Sequence, residues 1–398
     1  MPGTVGRQSA AMTADAILDM IRSAGQVSRT ELAARSGLTG ASITRVVRQL
    51  LDDELVVEVG TAAQGSRGKP RTLLQVKGGA RCAIGISLDY LRTIYVVVDL
   101  DGTLIAQQTT KGTGSRQPAD VLKQIMVDAE KLLAESGLDS TSLRGIGVAV
   151  AGQLNVRDTV HQVNPRSRYW QNYDLEAGLR SISSVPVVVE NDSTCAALGE
   201  HWLGRLPKTV NFATLYMTSG FGLGLMINGE IYRGASALAG EISHIVVDPR
   251  GPSCVCGRRG CLHTVGGAER IVELAANDSK LAARLGLKGT ARSQRADFDR
   301  VAGAAANGDE DATALIRTSA DALASVMVSV TNLLDLEQVT LAGPGFALAG
   351  ELYADALRHE FRHLALSRAR HEIRVCLSTH GEDVAALGAA SLVLSSIS

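Results

Sequence analysis

Apolar residues recur at helical spacing three times within the first fifty positions. Ile17, Met20, Ile21 and Ala24 share one face of a segment spanning about 11–24. Ser28 and Glu31 form an S-x-x-E capping box ahead of a short second helix that stops at Gly37. A third helix, beginning near Thr39, stacks Ile43, Val46, Val47, Leu50 and Leu51 on one side. Its other side shows Ser42, Thr44, Arg45, Arg48 and Gln49. The apolar period then changes. Segments 55–59 and 72–76 read as two strands joined by a glycine-containing basic turn with Arg67, Lys69 and Arg71. Gly78 and Gly79 mark a boundary, which divides the chain into a head (1–79) and a body (80–398).

The body opens with strands near 82–88, 94–100 and 104–109, then a helix near 118–135. Strands at 145–150 and 185–189 precede a helix starting at Asp192. A second strand group (212–217 and 224–227) leads into helices near 266–276, 309–334 and 351–366, and a last helix follows Asp383. Strands alternating with helices predict an α/β body. The repeated opening on strands around glycine turns suggests a duplicated half.

Composition adds little to this picture and charge adds slightly more. With 45% hydrophobic and 20% charged residues, the chain can bury sizeable cores and is not mainly disordered. The net charge of −1 gives no global pull toward nucleic acid. Residues 1–77, however, carry ten Lys and Arg against seven acids, a basic head on an acidic body. No leader-like segment opens the chain, and no apolar run of the ~20 residues a membrane span needs is evident. The expectation is a cytoplasmic, reduced protein that does not enter a membrane. Cys82, Cys195 and Cys376 lie in apolar runs and read as buried thiols.

Three short helices followed by a basic hairpin are the parts of a winged helix-turn-helix. The major groove admits one helix, and its base edges are read by short polar side chains and Arg. Ser42, Thr44, Arg45, Arg48 and Gln49 supply such a face. Arg67, Lys69 and Arg71 suit phosphate or minor-groove contact. The alternative is a helical protein-interaction module with solvated arginines. The hairpin favours DNA, since a plain helical bundle has no use for it.

His244, Cys254, Cys256 and Cys261 form an H-x9-C-x-C-x4-C pattern. In a reduced protein this points to metal rather than disulfide. Three thiolates and one imidazole fill the tetrahedral shell of Zn²⁺ and leave no open position, so the ion would be structural. Chance clustering and a redox pair fit the spacing less well.

The stretch containing these residues, GEISHIVVDPRGPSCVCGRRGCL from Gly240 to Leu262, resembles the signature of the ROK family (repressors, open reading frames and sugar kinases). The resemblance runs over essentially the whole chain. It implies a two-lobed, actin-like (ribonuclease H-like) fold and a homodimer or tetramer. It also implies that Glu241 and His244 contact a sugar, His244 binding zinc as well, with Ser243 where the family has Gly. Glu190-Asn191-Asp192 matches the family's E-N-D run, whose Asp is the base of the kinases. Asn191 and Asp192 are thereby ligand-contact candidates, as is Asn164 in an altered segment preceding Trp170.

Departures from the pattern are concentrated where ATP would sit. The family's first phosphate hairpin, Asp-x-Gly-Gly-Thr-Lys, is replaced by Ser87, Asp89, Tyr90, Leu91 and Arg92. Phe221 replaces a hydroxyl residue in the second phosphate loop, and Gly343-Pro344-Gly345 keeps part of the adenosine loop. His263 stands where the family places a ligand-contacting Glu, which opens the identity of the ligand. The expectation is a non-enzymatic transcriptional regulator, a repressor binding double-stranded operator DNA under control of a small-molecule sugar effector. An ATP-dependent sugar kinase, a regulator controlled by a protein partner, and a zinc sensor are the competing readings.

Overall fold

The computed structural model describes residues 3–62, 71–152, 154–155, 160–161, 169–170, 173–204 and 210–395. Arg67, Lys69 and Asn164 lie outside these residues.

The head contains helices Gly3–Ala24, Arg29–Ser36 and Gly40–Asp52. The capping box forms as expected, with the Ser28 side chain accepting from the Glu31 N–H and the Glu31 carboxylate accepting from Ser28. Gly37 closes that helix in the left-handed region at φ 70°. Val56–Ala62 and Arg71–Val76 pair antiparallel, and Val27–Ser28 adds a third short strand against Leu73 and Leu74. That third strand has no period of its own and was not visible in the sequence.

Each half of the body holds a five-stranded sheet, and the two sheets share one pairing pattern. In the first lobe, Cys82–Leu88 pairs antiparallel with Arg92–Asp99, and parallel with Leu143–Val150, which pairs parallel with Val187–Asn191. In the second, Phe212–Met217 pairs antiparallel with Phe221–Ile227, and parallel with Gln338–Ala342, which pairs parallel with Arg374–Leu377. The duplicated half expected from the sequence is present at the level of topology.

Alternation along the first sheet decides what covers each face. Ile84, Ile86, Tyr95 and Val97 face helices Pro118–Glu135 and Leu175–Arg180, while Ala83, Ile94, Val96 and Val98 face the opposite way. That opposite face is shared by the C-terminal helix, through Ala386, Leu387, Ala390 and Leu394, and by the head, through residues such as Ile17, Ile21 and Leu50. The head and first lobe thus share one apolar core. At the junction, a turn at Gly78–Ala80 is tied to the body by the Leu100 N–H donating to the Gly78 carbonyl.

One expectation needs correction. Cys376 is exposed, on the edge strand Arg374–Leu377, whereas Cys82 and Cys195 are buried. Helix Glu310–Leu334 is long and apolar enough to cross a membrane by length and composition. Its Ile316, Leu323 and Met327 instead form the core of the second lobe with Phe298, Tyr353 and Leu357.

Two helices run along the junction of the lobes. Asp192–Leu203 follows Val187–Asn191 of the first sheet, and Val384–Leu394 is the last helix among the described residues. They cross at backbone distance: a Cβ on Gly388 would lie 1.7 Å from the Cys195 carbonyl oxygen, and one on Gly199 would lie 2.5 Å from that of Val384. Only glycine permits this crossing.

Candidate functional site

The mouth of the cleft is built from chain ends that the sheets bring together. Ser87, Asp89, Arg92, Ala151, Asp192, Tyr216, Thr218 and Glu382 line it. Asp192 enters as the first residue of its helix, because Asn191 immediately before it is the cap. The Asn191 Oδ1 accepts from the Ser193 N–H at 3.0 Å and the Thr194 N–H at 3.2 Å, and its Nδ2 donates to the Gly152 carbonyl at 3.1 Å. Asn191 therefore serves the helix start, and of the expected E-N-D ligand contacts the carboxylate is Asp192.

Withdrawal from bulk water pushes the Asp192 carboxyl up to about 7. The negative charges of Asp89 and Glu241 push in the same direction, against the Ser193 N–H. A sugar hydroxyl donates best to the ionised form. If Asp192 receives such a hydroxyl, sugar affinity should rise by about tenfold between pH 6 and pH 8, as the ionised fraction rises through that midpoint. Calorimetric titration at the two pH values checks this, and the Asp192→Asn variant should lose both most of the affinity and the pH slope.

Glu241 comes from the second lobe, at the start of a short turn, Ile242–His244. Gly240 permits that turn, at φ 91°, since a Cβ there would sit 1.9 Å from the Leu223 carbonyl oxygen. Ser243, which departs from the family pattern, has a clear task. Its hydroxyl accepts from the Phe221 N–H at 3.0 Å and donates to the Phe221 carbonyl at 2.8 Å. The second phosphate-type loop thereby has a backbone donor occupied by protein.

The first phosphate-type hairpin is closed as well. Gly112, Thr113 and Gly114 donate their N–H groups to the carbonyls of Leu91, Asp89 and Tyr90 respectively, holding the turn against the next connection. Arg92 forms an ion pair with Glu382, which lies 3.5 Å from Arg295. Arg295 also donates to the Pro344 carbonyl at 2.7 Å. This chain of charges joins the first lobe to the second across one side of the cleft.

The four predicted metal ligands converge. One donor atom from each of His244, Cys254, Cys256 and Cys261 lies within 4.8 Å of every other. His244 Nδ1 is 3.4 Å from Cys254 Sγ, and Cys256 Sγ is 3.6 Å from Cys261 Sγ. The loop closes through Gly260, at φ 64°, where a Cβ would fall 1.5 Å from the Asp248 carbonyl oxygen. Burial, followed by the neighbouring Cys256 and Cys254, pushes the Cys261 thiol up to about 12. A divalent cation reverses that electrostatics by favouring thiolate. Such a donor set could hold a metal ion.

His263, expected at the ligand, is turned toward this cluster. Its Nδ1 lies 3.0 Å from the Ser243 carbonyl oxygen and its Nε2 lies 3.8 Å from Cys254 Sγ. Its ring meets that of His244 edge-on, with centroids 5.1 Å apart. Both nitrogens thus have protein neighbours, and His263 supports the loop.

In the head, Ile43, Val46, Val47 and Leu50 are buried, and Thr44, Arg45, Arg48 and Gln49 are exposed. Ser42 is half-buried and joins the Thr39 cap, accepting or donating at 3.0 Å, while the Thr44 hydroxyl donates to the Gly40 carbonyl. The long, exposed members of the face are Arg45, Arg48 and Gln49. Arg71 is half-buried at the start of the third head strand.

A model of the ROK family matches residues 83–396. The chain belongs to the ROK family. It is 30% identical to the xylose repressor of Bacillus subtilis over 237 residues, 59% of this chain and 60% of that protein. It is also 30% identical to a glucokinase of Halalkalibacterium halodurans, over 75% of this chain and 94% of the enzyme. Among solved structures, a ROK family transcriptional regulator described as a homologue of the Escherichia coli Mlc protein superposes with a TM-score of 0.75 at 22% identity. That match covers 98% of this chain and 97% of the other. The body therefore has the α/β, actin-like architecture of ROK sugar kinases and regulators. The family model begins at residue 83, so the head lies outside it.

Proposed function

We propose that this ROK protein is a DNA-binding transcriptional repressor whose operator affinity changes when a sugar or sugar derivative binds between the lobes. One contrast within the cleft carries the reading. The residues that the family resemblance assigns to the sugar, Asp192, Glu241 and His244, are kept, whereas the segments it assigns to the nucleotide carry the Arg92–Glu382–Arg295 chain and the Ser243–Phe221 contact. Binding without phosphoryl transfer is the chemistry this arrangement supports. The likeness to a xylose repressor accords with it.

The head (1–79) is read as a winged helix-turn-helix, with Arg45, Arg48 and Gln49 entering the major groove and the hairpin bearing Arg67, Lys69 and Arg71 beside it. The body (80–398) is read as the effector-binding domain. A homodimer or tetramer would present two heads to operator half-sites, and an effector that alters their spacing would change affinity. The same reading makes it a cytoplasmic protein.

Zn²⁺ suits the cluster of His244, Cys254, Cys256 and Cys261, since four donors already surround one point. When bound, the ion would offset most of the thiolate charge and fix the His244 ring through one nitrogen, leaving the other for a sugar hydroxyl. Removing it with a strong chelator should lower sugar affinity by about 10- to 100-fold, the usual cost of disturbing a ligand-orienting shell. The chelated protein is assayed by calorimetry, with restoration by stoichiometric Zn²⁺ as the control. Unchanged sugar binding would remove the ion from this role.

The enzyme reading rests on Asp192, whose carboxyl near 7 suits a general base. A coupled assay with ATP and a hexose panel distinguishes the two. No ADP release is expected, and turnover would restore the kinase reading.

A further inference from the structure

The helix Asp192–Leu203 begins at the cleft and ends beneath the head. Its first residue is the carboxylate read above as the effector's acceptor. Near its far end, Trp202 is buried against the head helix Gly3–Ala24, with the Arg22 guanidinium 4.1 Å from the indole centroid. Arg22 is itself buried, donates to the Trp202 carbonyl, and is held by Asp19 at 2.6 Å. Twelve residues of helix span about 18 Å, so a carboxylate in the cleft and an indole at the head belong to one rigid element.

That helix has little freedom to slip on its neighbour. Its crossing with Val384–Leu394 is backbone against backbone at Gly199 and Gly388. The neighbour itself starts beside Glu382, in the cleft, and carries Leu387, Ala390 and Leu394 into the core shared with the head. The two helices therefore begin at the effector cleft and finish in the head's footing. An apolar footing alone is non-directional and tolerates rotation. The Arg22–Trp202 contact does not, because a cation over a ring face and a hydrogen bond to the same residue's carbonyl are lost together when the head turns.

We infer that the helix Asp192–Leu203, keyed to the C-terminal helix, transmits effector occupancy from Asp192 to the Arg22–Trp202 contact, and that this contact sets the head's orientation on the first lobe. Arg22 is a positioning residue: it touches neither effector nor DNA. The inference rests on the effector reading of the cleft proposed above.

The test uses the full chain carrying Trp170→Phe, which leaves Trp202 as its single indole. Glucose and xylose are titrated separately, with binding followed by calorimetry and Trp202 emission followed in parallel. The expected result is an emission change whose midpoint matches the calorimetric Kd of whichever sugar binds. A sugar that binds without altering Trp202 emission overturns the inference and leaves the effector reading intact. If neither sugar, nor any in a wider hexose and pentose panel, binds by calorimetry, the effector reading itself fails and the inference falls with it.

Arg22→Gln then separates orientation from folding, since the amide can still donate to the Trp202 carbonyl but carries no charge. Sugar affinity should stay within about twofold of the parent, while the sugar-induced change in operator affinity drops from about tenfold to less than about twofold. Arg22→Lys, which restores the cation, should recover part of the change. A parental response in Arg22→Gln overturns the inference. Should that variant fail to fold, the emission titration decides the matter.

Discussion

Replacing Arg45 and Arg48 together by alanine is expected to lower affinity for the operator by about 100-fold or more. Both side chains are exposed on a helix whose other face is locked in the head core by Ile43, Val46, Val47 and Leu50. Removing them leaves the fold intact, and each bidentate contact to a base is worth about 1–3 kcal/mol. Fluorescence anisotropy on the region upstream of the gene, at one fixed salt concentration, gives the number. Sugar affinity should not move. Wild-type affinity in the double variant would place the DNA-reading surface elsewhere.

The second large effect concerns stability. Gly388→Ala puts a methyl 1.7 Å from the Cys195 carbonyl oxygen and 2.8 Å from the Gly199 amide nitrogen. Both are backbone atoms in the middle of helices, so neither can swing aside as a side chain would. Overpacking of this kind costs about 3 kcal/mol or more. The apparent Tm should fall by at least about 5 °C. Gly79→Ala, where an added Cβ meets nothing within 4 Å, is the matched control and should leave Tm unchanged. Equal melting of the two variants would mean that the helices can separate without cost, which would also weaken their role as a connection between cleft and head.

How much of this was legible in the sequence varies with the range of the interaction. The third head helix was readable because half of it is solvated, which gives Ile43, Val46, Val47 and Leu50 a clean period. The capping box of Ser28 and Glu31 is local and appeared as expected. Strand Val27–Ser28 is too short to carry a period, and helices Ser279–Leu285 and Gln294–Ala306 carried no signal strong enough to be singled out. The candidate metal ligands were legible as types and spacing. The loop geometry that gathers them depends on Gly260 meeting Asp248, which no local pattern displays.

In the cleft, the motif was readable and the division of labour within it was not. Glu190-Asn191-Asp192 could be found as a run, yet only the fold shows Asn191 spent on the cap and the Asp192 carboxyl pushed up by burial. Ser87–Arg92 pointed to a missing phosphate site. The charge chain beside that segment, joining Arg92, Glu382 and Arg295, involves residues far apart along the chain. The same holds for Arg22 and Trp202, 180 positions apart and invisible to any window. His263, read from its position as a ligand contact, has its ring nitrogens beside the Ser243 carbonyl and Cys254, which no local pattern displays.

The central claim is that one chain couples a sugar in the cleft to an operator at the head. Operator affinity measured by anisotropy with and without a saturating sugar, on Zn²⁺-loaded protein at pH 8, tests it most directly. A change of at least about fivefold is expected, abolished by Asp192→Asn. The same operator affinity with and without every sugar that binds would contradict it.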